Sequence, residues 1–126
     1  MKAYTDISQS KKLAEILPLE SADMARFTGK NRDVYPRDNV IMTNYILAKK
    51  EFSICGEIPI EPCWSLAALL DVLPEGIIEN YYALNLQKEN GKYSIAYGDD
   101  ELLCIADNPI DVCYEIIIKL YEQKIL

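Results

Sequence analysis

The dipeptide Asn90-Gly91 is the feature that most limits what this chain can fold into. Both residue types accept a positive φ, which a two-residue type I′ turn demands at its two central positions. The flanking segments alternate with period two. If the turn sets the register, Glu89 faces Lys92, Leu86 faces Ile95 and Leu84 faces Tyr97. One face of the hairpin then carries Tyr82, Leu84, Leu86, Ile95 and Tyr97, and the other carries Asn85, Gln87, Ser94 and Ala96. Turn chemistry and alternation select the same pairing. A second turn at Gly98-Asp99-Asp100 leads to a third strand over 101–106, completing an antiparallel meander.

The helices are marked by their caps. Asp6 and Gln9 form a capping-box variant ahead of a helix reaching Leu17, with Ile7, Leu13, Ile16 and Leu17 near one face and Pro18 as its stop. Ser65 caps a helix over Leu66–Leu73. Trp64 and Leu69 are placed to act as a hydrophobic staple there, and so apolar a helix should be buried. Asn108 caps the last helix, Pro109 to about Gln123, with Pro109 at the first helical position and Asp111 at the positive end. Its core stripe reads Ile110, Cys113, Tyr114, Ile117, Leu120 and Tyr121, while Asp111, Glu115, Lys119 and Glu122 form the wet face. Ile116 and Ile118 widen the apolar surface beyond one stripe, so a loop or a partner must cover them. The expected class is α+β: an antiparallel sheet, a meander with an Asn-Gly hairpin, packed by about three helices.

Residues 20–60 give weaker signals. Ala22 to Phe27 reads as a strand, Gly29-Lys30-Asn31 as a turn, and Val34 to Pro36 as a second short strand. Val40 to Leu47 is rich in β-branched and aromatic residues and reads as a strand. Extended to Phe52, the same run places Ile41, Tyr45, Ala48 and Phe52 on a helical face. Phe52 to Cys55 reads as extended and Ile58 to Pro62 as a stiff connector.

A chain of 126 residues suits one domain, 1–126, large enough to bury a core without metal or disulfide. No apolar run approaches the roughly 20 residues a membrane span needs. Met1 to Asp6 leads into a polar segment rather than a signal sequence, which predicts a cytoplasmic protein with reduced thiols. Cys55, Cys63, Cys104 and Cys113 contain no C-x-x-C pair and read as small buried hydrophobes. The formal charge is −7. Residues 1–50 hold nine Lys or Arg against six Asp or Glu; residues 51–126 hold four against fourteen. An acidic half repels phosphates, which disfavours nucleic-acid binding and suits solubility.

With no histidine, the Ser-His and Cys-His mechanisms and the histidine zinc sites fall away. There is no P-loop or G-x-G-x-x-G sequence. Asp99-Asp100-Glu101 has oxygen ligands for a hard cation, but a hairpin-tip cluster is ordinarily a solvated turn, so no metal or cofactor is assigned. Glu57, Glu61, Asp99, Asp100, Glu101 and Asp107 are the carboxylates from which an acid–base pair could be drawn. Nine tyrosines and one tryptophan are the main recognition material. Tyr81 lies off the even-numbered hairpin face.

Three segments carry a resemblance. Tyr4 to Pro18 (YTDISQSKKLAEILP), Pro62 to Pro74 (PCWSLAALLDVLP) and Asn108 to Leu120 (NPIDVCYEIIIKL) resemble, in this order, small uncharacterised proteins of gut Bacteroides and relatives, often carried on phages or mobile elements. The resemblance implies a bacterial setting and no activity. The leading expectation is a non-enzymatic protein-interaction module, with Ile116, Ile118 and Tyr81 as interface candidates and a protein partner or a second copy as occupant. An acidic inhibitor of a nucleic-acid-handling protein and a carboxylate-based enzyme are the alternatives.

Overall fold

The computed structural model describes residues 2–27, 40–41, 43–54, 60–77, 82–98 and 102–126. Among these are four α-helices and two antiparallel sheets, an α+β architecture. The chain divides into two compact units, Tyr4–Ala68 and Leu69–Leu126 with Met1–Ala3.

In the Tyr4–Ala68 unit, α1 spans Ile7–Ile16. Asp6 Oδ1 accepts from Gln9 N at 2.8 Å and Gln9 Oε1 accepts from Asp6 N at 3.1 Å, the reciprocal bonds of a capping box. A single 3₁₀ turn, Leu19–Ser21, leads into β1 (Met24–Phe27). The sheet order is β2 (Val40–Ile41), β1, β3 (Ile60–Cys63). Helix α1 packs on β3, and α2 (Tyr45–Ile54) packs on β1 and β3. Pro62 is accommodated because β3 is an edge strand, where a missing N–H is tolerated. Leu13, Ala22, Ala25, Ala48, Cys63 and Trp64 are fully buried.

Three expectations for this unit are corrected. The run from Val40 is a strand only to Ile41, and Tyr45–Ile54 is helical. The reason is local: Asn44 Oδ1 accepts from Ile46 N (2.9 Å) and Leu47 N (3.3 Å), an N-cap that outweighs the β propensity of the residues after it. Burial follows the helical period, with Tyr45 and Ala48 inside and Ile46 and Leu47 exposed. Phe52 to Ile54, read as extended, closes this helix. Ile60 to Pro62, read as a connector, is paired with β1, Pro62 opposite Ala25. The turn and strand expected over 29–36 lie outside the described residues.

Helix α3 (Leu66–Val72) starts at Ser65, whose Oγ accepts from Ala68 N at 3.2 Å. The cap is itself held: Asp23 accepts from Ser65 N (2.9 Å) and from the Ser65 hydroxyl.

In the Leu69–Leu126 unit the sheet order is β4 (Gly76–Ile77), β5 (Tyr82–Glu89), β6 (Lys92–Tyr97), β7 (Leu103–Ala106). Asn90 and Gly91 adopt φ of 53° and 75°, as a type I′ turn requires. The β5–β6 register pairs Glu89 with Lys92, Leu86 with Ile95 and Leu84 with Tyr97, as the turn dictates. The short β4 was not legible in the sequence. It pairs with Tyr82 and Ala83 of β5.

Helix α4 (Pro109–Glu122) lies against β6 and β7. Asn108 Oδ1 accepts from Asp111 N at 2.9 Å, and Lys2 forms a 2.8 Å ion pair with Asp111 at the same end. The buried face comprises Pro109, Ile110, Val112, Cys113, Ile116, Ile117 and Leu120. Compared with the expected stripe it is turned: Val112 and Ile116 are inside, Tyr114 is half-buried and Tyr121 is exposed. The phenols at the stripe's edge keep contact with water while the aliphatic side chains are removed from it.

Leu69 is fully buried and Leu70 half-buried. Leu69→Ala is expected to lower unfolding stability by about 2–5 kcal/mol, and Leu70→Ala by less. Urea unfolding followed by circular dichroism checks the order.

Candidate functional site

The hairpin geometry determines where the Leu69–Leu126 unit leaves backbone groups unpaired. Residues flanking a two-residue turn exchange both hydrogen bonds, and along an antiparallel ladder such pairs alternate with non-bonded ones. Glu89–Lys92 is therefore a bonded pair, as are Gln87–Ser94 and Asn85–Ala96. Leu84, Leu86 and Lys88 consequently turn their N–H and C=O away from β6. Leu84 shows this directly, its N–H donating outward to Glu75 O at 2.9 Å. Strand β4 covers only Tyr82 and Ala83, so beyond Leu84 the outer edge of β5 has no paired strand among the described residues. Residues 85–90 are all exposed, and Leu86 keeps 43% of its surface in water. The opposite edge, β7, is partly occupied: Lys119 Nζ donates to Leu103 O at 3.3 Å.

The interface candidates read from sequence fall elsewhere. Ile116 is fully buried, so the chain itself covers it and it belongs to the core. Ile118 is half-buried. Tyr81 lies outside the described residues, as do Glu57, Asp99, Asp100, Glu101 and Cys55. Asp107 is ion-paired with Lys92. Among the described residues, no group of three or more Cys, Asp or Glu side chains is arranged to hold a metal ion.

The Tyr4–Ala68 unit holds a buried polar cluster that the sequence did not announce. Arg26 is only 7% exposed. Its guanidinium donates to Ser10 Oγ (3.2 Å), to Thr5 O and to Cys63 Sγ (3.5 Å), and lies 5.9 Å from the centre of the Tyr4 ring. Thr5 Oγ1 lies 2.8 Å from Ser10 Oγ and accepts from Trp64 N at 3.1 Å. The Cys63 thiol donates to Thr5 O at 3.4 Å. Cys63 is thus a hydrogen-bonded member of this cluster rather than a plain apolar filler. The cluster ties β1 to α1 and β3, and all its donors are turned inward. Glu61 stands opposite Arg26 in the β1–β3 register. Its Oε2 is buried without a hydrogen-bond partner. Beside it an open cleft of about 320 Å³ is lined by Ser10, Lys11, Ala14, Glu15, Glu61 and Pro62. The only sequence signal for the cluster was a lone basic residue inside Met24-Ala25-Arg26-Phe27, which does not disclose its partners.

The thiols of the other unit are held in the protonated form. Burial pushes Cys113 up to about 12 and also raises Cys104, with Lys119 pulling the latter down and Glu115 pushing it up. Burial, then the neighbouring Cys113, raises Tyr97 to about 12, and its hydroxyl donates to Pro74 O at 2.6 Å. A thiol held protonated is a poor nucleophile.

Comparisons with protein-family models, with curated proteins and with solved structures each returned no match. No helix among the described residues is long and apolar enough to cross a membrane.

Two outcomes are expected. Arg26→Ala strips the buried acceptors of their donor and should cost about 1–3 kcal/mol for each one left alone, measured by urea unfolding. Raising the pH should destabilise the fold. Above about pH 9 the unfolded chain releases thiol and phenol protons that Cys113 and Tyr97 retain when folded. Stability is therefore full below that point and falls as pH climbs toward 12. The urea midpoint should drop across this range, less steeply in Cys113→Ala.

Proposed function

We propose that the protein is a non-enzymatic protein-interaction module that binds by strand addition at the outer edge of β5. The observation that carries this reading is the exposed run Asn85–Glu89, where Leu86 and Lys88 direct backbone donors and acceptors away from β6 and no described strand receives them. An unpaired edge is a template for another strand, and natural sheets ordinarily shorten, cover or bulge it. Here β5 is the longest strand of its sheet and runs regularly to the turn. Main-chain bonds supply attachment in such complexes, and alternate side chains supply selectivity. Leu86 offers an apolar contact to the incoming strand, and Lys88, whose ammonium lies 5.3 Å from the centre of the Tyr93 ring, favours an acidic neighbour. The bacterial mobile-element resemblance adds a setting to this proposal, not a partner.

A random-peptide display selection on the immobilised protein tests the reading. Enriched peptides should be extended, should shift the amide signals of Leu86 and Lys88, and should lose binding to Lys88→Pro, which deletes one outward N–H. A selection without binders, or binders that leave those two amides unmoved, overturns it.

A further inference from the structure

The turn that sets the register of β5 also carries the atoms for its own chemical change. The backbone nitrogen that follows an asparagine can attack the side-chain carbonyl of that asparagine, and glycine, without a Cβ, hinders the attack least. Asn90 and Gly91 are exposed, and a Cβ built at Gly91 would meet nothing within 4 Å, so the space beside the turn is open to water. The Gly91 N–H lies between the bonded pair Glu89–Lys92 and takes no part in the ladder. The other described asparagines are held back. Asn44 Oδ1 accepts from two backbone amides, and Asn85 precedes Leu86 within β5. Asn108 precedes Pro109, whose nitrogen has no hydrogen to lose. We infer that Asn90 is a self-modification site that deamidates when the hairpin opens, and that its product dismantles the edge of β5.

The step needs only hydroxide and water. Hydroxide removes the Gly91 N–H proton, the nitrogen bonds to Asn90 Cγ, and the Cγ–Nδ2 bond breaks with release of ammonia. Water then opens the five-membered imide on either side. One product is aspartate. The other is isoaspartate, in which the main chain runs through the former side-chain carbon and gains one methylene. The folded turn restrains the first step. With φ of 53° and 75° the pair adopts the mirror image of a type I turn, which puts ψ of its first central residue at about +30°. In an L-residue that ψ turns the next nitrogen to the side of the Cα–C bond opposite Cβ, out of reach of Cγ. Cyclisation therefore draws on opened hairpins, and the fold sets its rate. Isoaspartate cannot hold the two-residue connection. The extra methylene parts Glu89 from Lys92 and frees the amides that this pair and Gln87–Ser94 keep in register. The consequence for binding rests on the strand-addition reading; the chemistry at Asn90 does not.

Peptide mapping by mass spectrometry, after warm incubation of the full-length protein at mildly alkaline pH, tests the site. Isoaspartate and aspartate should accumulate at position 90 several-fold faster than at Asn44, Asn85 or Asn108. The rate should lie several-fold below that of a free peptide of residues 84–97, and urea short of the unfolding midpoint should raise it toward the peptide's. A rate at position 90 no faster than at those three, or a folded rate equal to the peptide's, overturns the inference. The isoaspartate form, isolated by ion exchange, should show fast amide exchange at Gln87 and Glu89. Two controls should keep both slow. Fresh Asn90→Asp has the same added charge on a normal backbone, and Asn90→Gly suits a type I′ turn and cannot cyclise. Slow exchange retained in the isoaspartate form, or peptides selected on the parent that bind it equally well, overturns the loss of the edge. Should the selection yield no binder, strand addition falls while the mapping still decides the site.

Discussion

The backbone at Asn90-Gly91 is the constraint on which the Leu69–Leu126 unit depends. Two successive residues with positive φ close β5 onto β6 in one register. A slip of one residue would exchange the faces of the hairpin and bring Ile95 and Tyr97, now buried, to the surface. The same register decides the direction of every amide along β5. It turns Asn85, Gln87 and Glu89 toward β6, and it turns Leu84, Leu86 and Lys88 outward. The outward direction of Leu86 and Lys88 is therefore a consequence of the turn, and the shortness of β4 leaves them open.

The Tyr4–Ala68 unit is held by a different logic. Its helices are started by local side-chain caps, at Asp6 and Asn44, and α3 is started by Ser65 supported by Asp23. Its interior is specified by Arg26, a charge removed from water and satisfied by neutral groups drawn from the chain before α1, from α1 and from β3. A buried guanidinium is costly unless its donors are met, so this arrangement tolerates few alternative packings. Trp64 shares in it, bonding through its main chain to Thr5 and through its indole N–H to Ser21.

What was legible in the sequence was what is encoded within a few residues. The capping box, the Ser65 and Asn108 caps and the type I′ turn each join a residue to one at most three positions away, and each is present. Asn44 was the local signal overlooked; its cap converts a β-rich run into α2. Arg26 was not legible, because its partners lie 16 to 37 positions away and become neighbours only when the sheet forms. The α4 face was read slightly turned, because Tyr114 and Tyr121 count as apolar in a pattern but sit at the boundary in the fold. The β5 edge was implicit: the register gave the outward amides, but the shortness of β4 that leaves them open had no clear sequence mark.

Amide hydrogen exchange along β5, measured residue by residue in dilute protein, reads the direction of each N–H and the openness of the edge. Alternation is expected: slow exchange at Asn85, Gln87 and Glu89, whose N–H groups enter the ladder with β6, and fast exchange at Leu86 and Lys88. The opposite phase, or uniform protection from Asn85 to Glu89, would contradict both the register assigned to the turn and the open edge derived from it.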